Sequence, residues 1–437
     1  MRIIKYECML VKYKFAILPS VLKFLFVNNL QPLELDQGTA HIQPPANGKL
    51  SIEEQFVCFV CLSRFAVRLP FPMRLDELDY HLPREQIAQR PLDRREASRL
   101  LFMDRSSGLF EDQFFAEFPS LLRGDELLVF NNARVIPARL FGRRAGVHSH
   151  PPSRATRSEH LTGKVEIFLT RELDPETWEA LVRPGRKMQV GERVLFGEGE
   201  LEAEVLARGQ LGMRTLRFIS HDQSSISQHF ERLGHVPLPP YIDRADETSD
   251  RERYQTVFAK RPGAIAAPTA GLHFSTEILE KIRARGVEIC ELTLHVGLGT
   301  FQPIHGETLE SHVMHAESYE ILAETADRIQ AARDAGRPIL AIGTTAVRAL
   351  EDAALRAAES GSANLVLSGK AEARLFIVPG FRFRVVQGLL TNFHLPRSTL
   401  LGLVCAFAGR EHVLAAYNHA VEAGYRFYSY GDCQLIR

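Results

Sequence analysis

The sequence predicts an α/β protein that carries a second, all-β body within its chain, on three observations. From about residue 254 onward, apolar runs of strand length alternate with segments of helical period. Between residues 143 and 250 the text changes to short strand-like pieces with turn signals roughly every ten residues. The length, 437 residues, exceeds the usual size of a single core.

Composition narrows the class. Lys plus Arg (53) equal Asp plus Glu (53), so bulk charge recruits no nucleic acid, and an RNA partner would need a local basic patch. The six cysteines stand at 8, 58, 61, 290, 405 and 433, without the spacing of a disulfide framework or of two zinc-binding pairs. That usage fits the reducing cytoplasm. Cys58 and Cys61 form a lone C-x-x-C outside any βαβ pattern, read here as coincidence. Residues 1–72 differ from the rest. "YKFAILPSVLKFLFV" is interrupted by Pro19 and Lys23, lacks a clean cleavage pattern, and is too short to span a bilayer. "QPLELDQGTAHIQPPANGKLS" has neither period. These residues are expected to be a disordered extension or a mis-assigned start, with the working chain beginning at Met73.

From Met73, "GDELLVFNNARVIPARLFG" reads as strand, polar turn and strand. The β-rich stretch contains "GKVEIFLTREL", "WEALVRPGRKMQVGERVLFG" and "ELEAEVLARGQLGMRTLRF", and its loop 145–163 is polar, basic and proline-bearing. Next, "GAIAAPT" is read as a strand, "STEILEKIRARG" as a helix capped by Ser275 or Thr276 and stopped by Gly286, and "VEICELTLHVG" as a strand. "RPILAIGTTAVRALEDAALRAA" is a buried strand, a Gly-Thr-Thr turn and an amphipathic helix. The expected architecture is a mixed α/β, barrel-like core domain of residues 73–142 and 251–437, with a small antiparallel β-barrel domain of residues 143–250 inserted.

Candidate chemistry collects at the strand ends, where α/β folds bind ligands. Alternation along "LTLHVG" places Leu292, Leu294 and Val296 on one face and Thr293 and His295 on the other. Gly297 and Gly299 then allow close backbone approach, and Thr300 offers a hydroxyl. "APTAGLHF" adds Thr269, Gly271 and His273. "GTTAVR" puts Thr344 and Thr345 at a helix start with Arg348 behind them, an arrangement suited to a carboxylate or phosphate. "SHVMHAESYE" contributes His312, His315 and Glu317, and "LLTNFHLPRSTLL" contributes Asn392 and His394. These histidines and the glutamate do not form a zincin pattern and no thiolate pair joins them, so no metal is expected. The aromatics Tyr425, Phe427, Tyr428 and Tyr430 alternate with polar residues and read as a half-buried strand before a base-stacking surface.

Taken together, "NNARVIPARL", "PLPPYIDR", "RYQTVFA", "GAIAAPTAGLHF", "TLHVGLGTFQPI", "HVMHAE", "GTTAVRALE", "LFIVPGF", "LLTNFHLPRSTLL", "AFAG" and "YRFYSYGD" make residues 73–437 resemble the S-adenosylmethionine:tRNA ribosyltransferase-isomerase family of queuosine biosynthesis. Glu96, Arg374 and the quartet at 431–434 depart from that family's pattern. The resemblance implies an α/β core with an inserted β-barrel. It implies transfer and isomerisation of the ribosyl part of S-adenosylmethionine onto 7-aminomethyl-7-deazaguanine at the wobble position of tRNA, giving epoxyqueuosine, adenine and methionine. The implied partners are this tRNA and S-adenosylmethionine as ribosyl donor, with no membrane and no obligate protein partner.

A sulfonium acidifies the adjacent C5′ hydrogens and makes methionine a good leaving group, so the chain must supply a base and positions. Imidazoles come first and carboxylates next. The candidates are His273, His295, His312 and His315, with Glu317 and Asp432 behind them. Thr269, Gly271, Gly297, Gly299, Thr300, Thr344, Thr345 and Arg348 are expected around the donor. Arg99, Arg134, Arg139, Asn392 and His394 are expected on the tRNA side. Two rival readings remain at this level. An RNA methyltransferase would use "HVGLGT" as its cofactor loop, but "IHGETLE" lacks the helix expected after such a loop. A catalytically silent RNA-binding module sits poorly with so many His, Thr and Gly at consecutive strand ends.

Overall fold

The structure is a computed structural model that describes residues 34–36, 39–41, 73–147, 163–297, 309 and 316–437. The chain divides into two units, residues 1–71 and 72–437. In the first, strands Glu34–Asp36 and Thr39–His41 pair antiparallel. The C-x-x-C pair and the loop centred on residues 148–162 lie outside the described residues.

The second unit is built on a nine-stranded sheet. Its centre is four parallel strands in the spatial order Glu288–Leu294, Leu127–Asn131, Ile339–Ile342, Gly388–Asn392. Every residue of the last three is buried, which is why they read as unbroken apolar runs. Alternate side chains serve two cores. Leu127, Val129, Leu292, Ile339 and Ala341 pack with Val347 and Leu350 of helix Thr344–Glu359 and Ile329 of helix Ala323–Asp334. Leu128, Phe130, Leu340 and Ile342 pack with Ile278, Leu279 and Ile282 of helix Thr276–Ala284 on the other side. Ser275 caps that helix by accepting from the Ile278 N–H, as the sequence suggests.

From Leu127–Asn131 the chain goes first to the neighbour on one side, Glu288–Leu294, and then crosses to Ile339–Ile342 on the other. The boundary between Leu127–Asn131 and Ile339–Ile342 is therefore a topological switch point, with a crevice at its carboxyl end. Beyond the parallel centre come Cys433–Ile436, Arg99–Met103 and Phe110–Phe114 on one flank, and Glu317–Ile321 and Gly369–Ala373 on the other. The α/β class holds, but the core sheet is open and not barrel-like. Its edge strands, FEDQF and GKAEA, are polar and largely exposed, which ends pairing instead of extending it.

The closed barrel is the other body: six antiparallel strands between Arg139 and Ser220. Lys164–Glu172 and Thr177–Arg183 alternate buried and half-exposed residues, so that Ile167, Leu169, Trp178 and Ala180 fill the interior. Its first strand begins at Arg139, ahead of the boundary at 143. The chain leaves and rejoins the core through Ala133–Val135 and Arg261–Ala264, which pair parallel. The strand expected at "GAIAAPT" is thus displaced: Arg261–Ala264 is extended, and the chain turns before Pro268, which has no N–H for a ladder. The aromatic run near the end is also not a strand. Tyr425, Phe427 and Tyr430 are buried, Phe427 makes a single parallel bridge with Ile87, Tyr428 has φ +73°, and a strand forms only at Cys433. Among the described residues no single helix is long and apolar enough to cross a membrane.

Candidate active site

A cavity of about 820 Å³ opens where the Ile339–Ile342 and Gly388–Asn392 strands end. Segments 266–270, 343–345, 391–400 and 428–429 line it, together with Tyr241 and the 74–76 segment. Gly343 (φ +93°) makes the turn from strand to helix and donates its N–H to Leu390 O at 2.8 Å. The helix Thr344–Glu359 consequently starts at the cavity, so the positive end of its dipole and its first N–H groups meet whatever anion enters.

Asn131 ties the switch point together. Its Nδ2 donates to Leu294 O (3.0 Å) and Thr345 Oγ1 (3.2 Å). Its Oδ1 accepts from the N–H groups of Leu294 (2.9 Å) and Ala133 (3.1 Å). The end of one strand and the first turn of the helix are thereby held at fixed separation.

Of the sequence-derived residues, the structure gathers Thr269, Thr344, Thr345, Asn392 and His394 around this one cavity. Asn392 and His394, expected on the tRNA side, share it with the three threonines expected around the donor. His394 is buried, its Nε2 is 2.9 Å from Thr391 Oγ1, and its backbone is held by Tyr80 and Tyr417 hydroxyls. Burial pushes its pKa down to about 3, so it is neutral at ordinary pH. His273 stands behind the wall: Nδ1 is 2.7 Å from Ser98 Oγ and Nε2 is 3.2 Å from Asn392 Nδ2. Burial lowers its pKa to about 4, and with both nitrogens engaged it has no lone pair free to take a substrate proton. Gly271 packs in the same turn, where an added Cβ would meet Phe258 Cζ at 2.6 Å.

The other candidates are arranged differently. His295 follows the strand Glu288–Leu294, hydrogen-bonds Ser318 O through its backbone N–H at 3.0 Å, and lies outside the cavity lining. Its ring passes over Gly263, whose φ of +130° and missing side chain leave the room, since a Cβ there would stand 3.0 Å from the ring. Nδ1 of His295 is buried with no hydrogen-bond partner, and burial lowers its pKa. Arg348 does not face the cavity; it is buried and ion-paired with Glu317. Glu317 also accepts from the Gly297 N–H at 3.1 Å, so both side chains brace the turn after His295.

Asp432 likewise departs from its expected role as a base. Its two oxygens accept from the N–H groups of Arg99 (2.8 Å) and Arg426 (2.7 Å), and it is 2% exposed. The Arg99 guanidinium lies over the Tyr425 ring and donates to Ala423 O, leaving little of it for RNA. Arg139 pairs with Glu166 in the barrel wall, while Arg134 is exposed on the short parallel ribbon. Gly299, Thr300, His312 and His315 lie outside the described residues. Among the described residues no group of three or more His, Cys, Asp or Glu could hold a metal ion.

Sequence reading missed Ser98, Asn131 and Tyr241, and it read Tyr428 as part of a half-buried strand in preference to a stacking surface. The rings of Tyr241 and Tyr428 meet at 3.9 Å between centroids, both in the cavity lining. Each of these residues stands in or beside a stretch that the sequence marks, but their meeting depends on pairs 100 or more residues apart, such as Tyr241 with Ser429, 188 residues on.

An open α/β sheet with a cavity at the carboxyl ends of its Ile339–Ile342 and Gly388–Asn392 strands, one strand over from the switch point, helix starts facing that cavity, and the neutral buried His394 in its wall with His273 behind it defines an α/β enzyme for a nucleotide-sized ligand. Residues 75–436 match the family described as queuosine biosynthesis protein, and the chain belongs to that family. It is 53% identical over 368 residues to the S-adenosylmethionine:tRNA ribosyltransferase-isomerase of Solibacter usitatus, covering 83% of this chain and 100% of that one. The protein of the same name from Sorangium cellulosum is 47% identical over 387 residues, covering 84% and 99%. A crystal structure of S-adenosylmethionine tRNA ribosyltransferase from Thermotoga maritima is 34% identical, with 83% of this chain and 100% of that chain covered and a TM-score of 0.44. The chain is accordingly a transferase and isomerase of queuosine biosynthesis, a pathway of tRNA modification.

Proposed function

We propose that the chain moves the ribosyl group of S-adenosylmethionine onto 7-aminomethyl-7-deazaguanine at the wobble position of tRNA and isomerises it, releasing adenine and methionine. The observation that carries this reading is the cavity at the carboxyl ends of the Ile339–Ile342 and Gly388–Asn392 strands. Its volume of about 820 Å³ suits a nucleoside with an amino-acid tail, and two helix starts, those of Thr344–Glu359 and Thr399–Ala408, meet it. In this reading Thr344 and Thr345, at the positive end of the helix, receive the methionine carboxylate. Thr269 lies against the adenosine part. Arg348 acts through Glu317 and Gly297 by holding the turn that carries His295.

The sulfonium supplies acidic C5′ hydrogens and a leaving group. His295 is the candidate for the proton transfer, because its buried Nδ1 is unengaged whereas both nitrogens of His273 are occupied; since it stands outside the cavity lining, this reading has the donor's ribose extend past the cavity toward Gly263 to meet it. The tRNA reaches the same opening with its modified base extruded, and the reaction runs in the cytoplasm where that tRNA resides. The test is product analysis. Adenine and methionine should form in equal amounts, only with tRNA bearing the aminomethyl-deazaguanine. S-adenosylhomocysteine in their place would overturn the reading in favour of methyl transfer.

A further inference from the structure

The buried chain Ser98–His273–Asn392 has only one consistent set of hydrogen positions. Asn392 Nδ2 is 2.9 Å from the Tyr428 carbonyl, which can only accept, so the amide nitrogen and not its oxygen faces that group. The second Nδ2 hydrogen points to His273 Nε2 at 3.2 Å, which must therefore be an acceptor. His273 then carries its proton on Nδ1 and donates to Ser98 Oγ at 2.7 Å, and the serine hydroxyl passes its own hydrogen to Arg95 O at 3.3 Å. Burial, which lowers the His273 pKa to about 4, keeps this tautomer uncharged.

The result is an amide that cannot turn over, with Oδ1 left as an acceptor. That oxygen is buried without a hydrogen-bond partner, in a residue 2% exposed that lines the cavity. An unmatched acceptor of this kind asks for a donor from the ligand. Tyr428, whose carbonyl fixes the amide, and Tyr241 line the same cavity and offer aromatic surface for a flat ring. An unmatched acceptor in a cavity that also presents aromatic surface suits the exocyclic amine of an aminopurine, the 6-amino group from which asparagine accepts on adenine.

We propose that Asn392 reads the 6-amino group of adenine in the donor substrate, and that Ser98 and His273 are positioning residues that hold its amide in the orientation able to do so. This rests on S-adenosylmethionine being the donor. The probes are S-adenosylhomocysteine and S-inosylhomocysteine, which differ in a 6-amino against a 6-oxo group, titrated by calorimetry into the full chain. The native chain should prefer the amino ligand on the order of 10-fold or more, because the 6-oxo group leaves Oδ1 facing another acceptor. Asn392→Ala should bring the ratio close to one. His273→Phe, which removes the acceptor for Nδ2, should lower the ratio, and His273→Gln, which can restore it, should recover much of the preference. A purely structural role would weaken both ligands alike and leave the ratio unmoved. Should His273→Phe not fold, Ser98→Ala tests the same link, since without the serine the proton can move to Nε2 and oppose the amide, again lowering the ratio. A native ratio near one, or an undiminished preference in Asn392→Ala, would overturn the inference. Failure of both ligands to bind the native chain would instead overturn the proposed donor, and the inference with it.

Discussion

Arg348 separates two accounts of the site. If it bound the donor's carboxylate, replacing it would weaken donor binding and leave the fold intact. The structure pairs it with Glu317, the two side chains being 6% and 3% exposed, and Glu317 in turn accepts the Gly297 N–H at 3.1 Å. Arg348→Met removes the cation and leaves a buried carboxylate without it. Breaking a buried pair from one side costs about 3–5 kcal/mol. With a urea m-value of roughly 3 kcal/mol/M, that moves the unfolding midpoint down by about 1 M or more. Glu317→Gln combined with Arg348→Met removes both charges and should recover much of the loss, giving a coupling energy of about 2 kcal/mol or more. Urea unfolding of the native chain, the single variants and the double variant measures this cycle. An Arg348→Met midpoint equal to the native one, accompanied by a raised KM for S-adenosylmethionine, would refute the bracing role and return Arg348 to the carboxylate.

Acid should destabilise the fold through its buried histidines. His273 and His394 have folded pKa values lowered by burial to about 4 and about 3 from 6.5, so the unfolded chain binds more protons below neutrality. Stability should therefore fall as pH drops from about 6.5 toward 4, at up to about 1.4 kcal/mol per pH unit per histidine. A flat urea midpoint between pH 7 and 4.5 would contradict this. His295→Ala and His295→Gln should keep the native melting temperature and lose on the order of 10²- to 10⁴-fold in single-turnover adenine release. Loss of stability with turnover per folded molecule retained would make His295 structural. A chain starting at Met73 is expected to match the full chain in melting temperature and turnover, and an insoluble or inactive product would show that residues 1–72 are needed.

The parallel centre of the sheet was legible because its strands are buried on both faces and so lack alternation, while Ser275 and Gly343 mark helix starts through their side-chain chemistry and backbone freedom. The barrel was legible for the opposite reason, the strict alternation of Lys164–Glu172 and Thr177–Arg183. Residues 425–430 misled because burial in a turn and burial in a strand leave the same aromatic pattern, and the φ of +73° at Tyr428 has no signature in a tyrosine. Site residues could be named but not given partners. Nothing local says that Glu317 meets Arg348, that Asp432 caps the N–H of Arg99 333 residues away, or that His273 meets Ser98. Those partners decide which groups are free to do chemistry, and they come from strand order.

The central claim is that carbon from the donor's ribose, and not its methyl group, ends on the RNA. The most direct measurement uses S-adenosylmethionine labelled either in the ribose or in the methyl group, with tRNA bearing the aminomethyl-deazaguanine. The account predicts one ribose label retained per modified tRNA, no methyl label on the RNA, and the methyl label recovered in free methionine. Methyl label on the tRNA, with the ribose label left in S-adenosylhomocysteine, would contradict it.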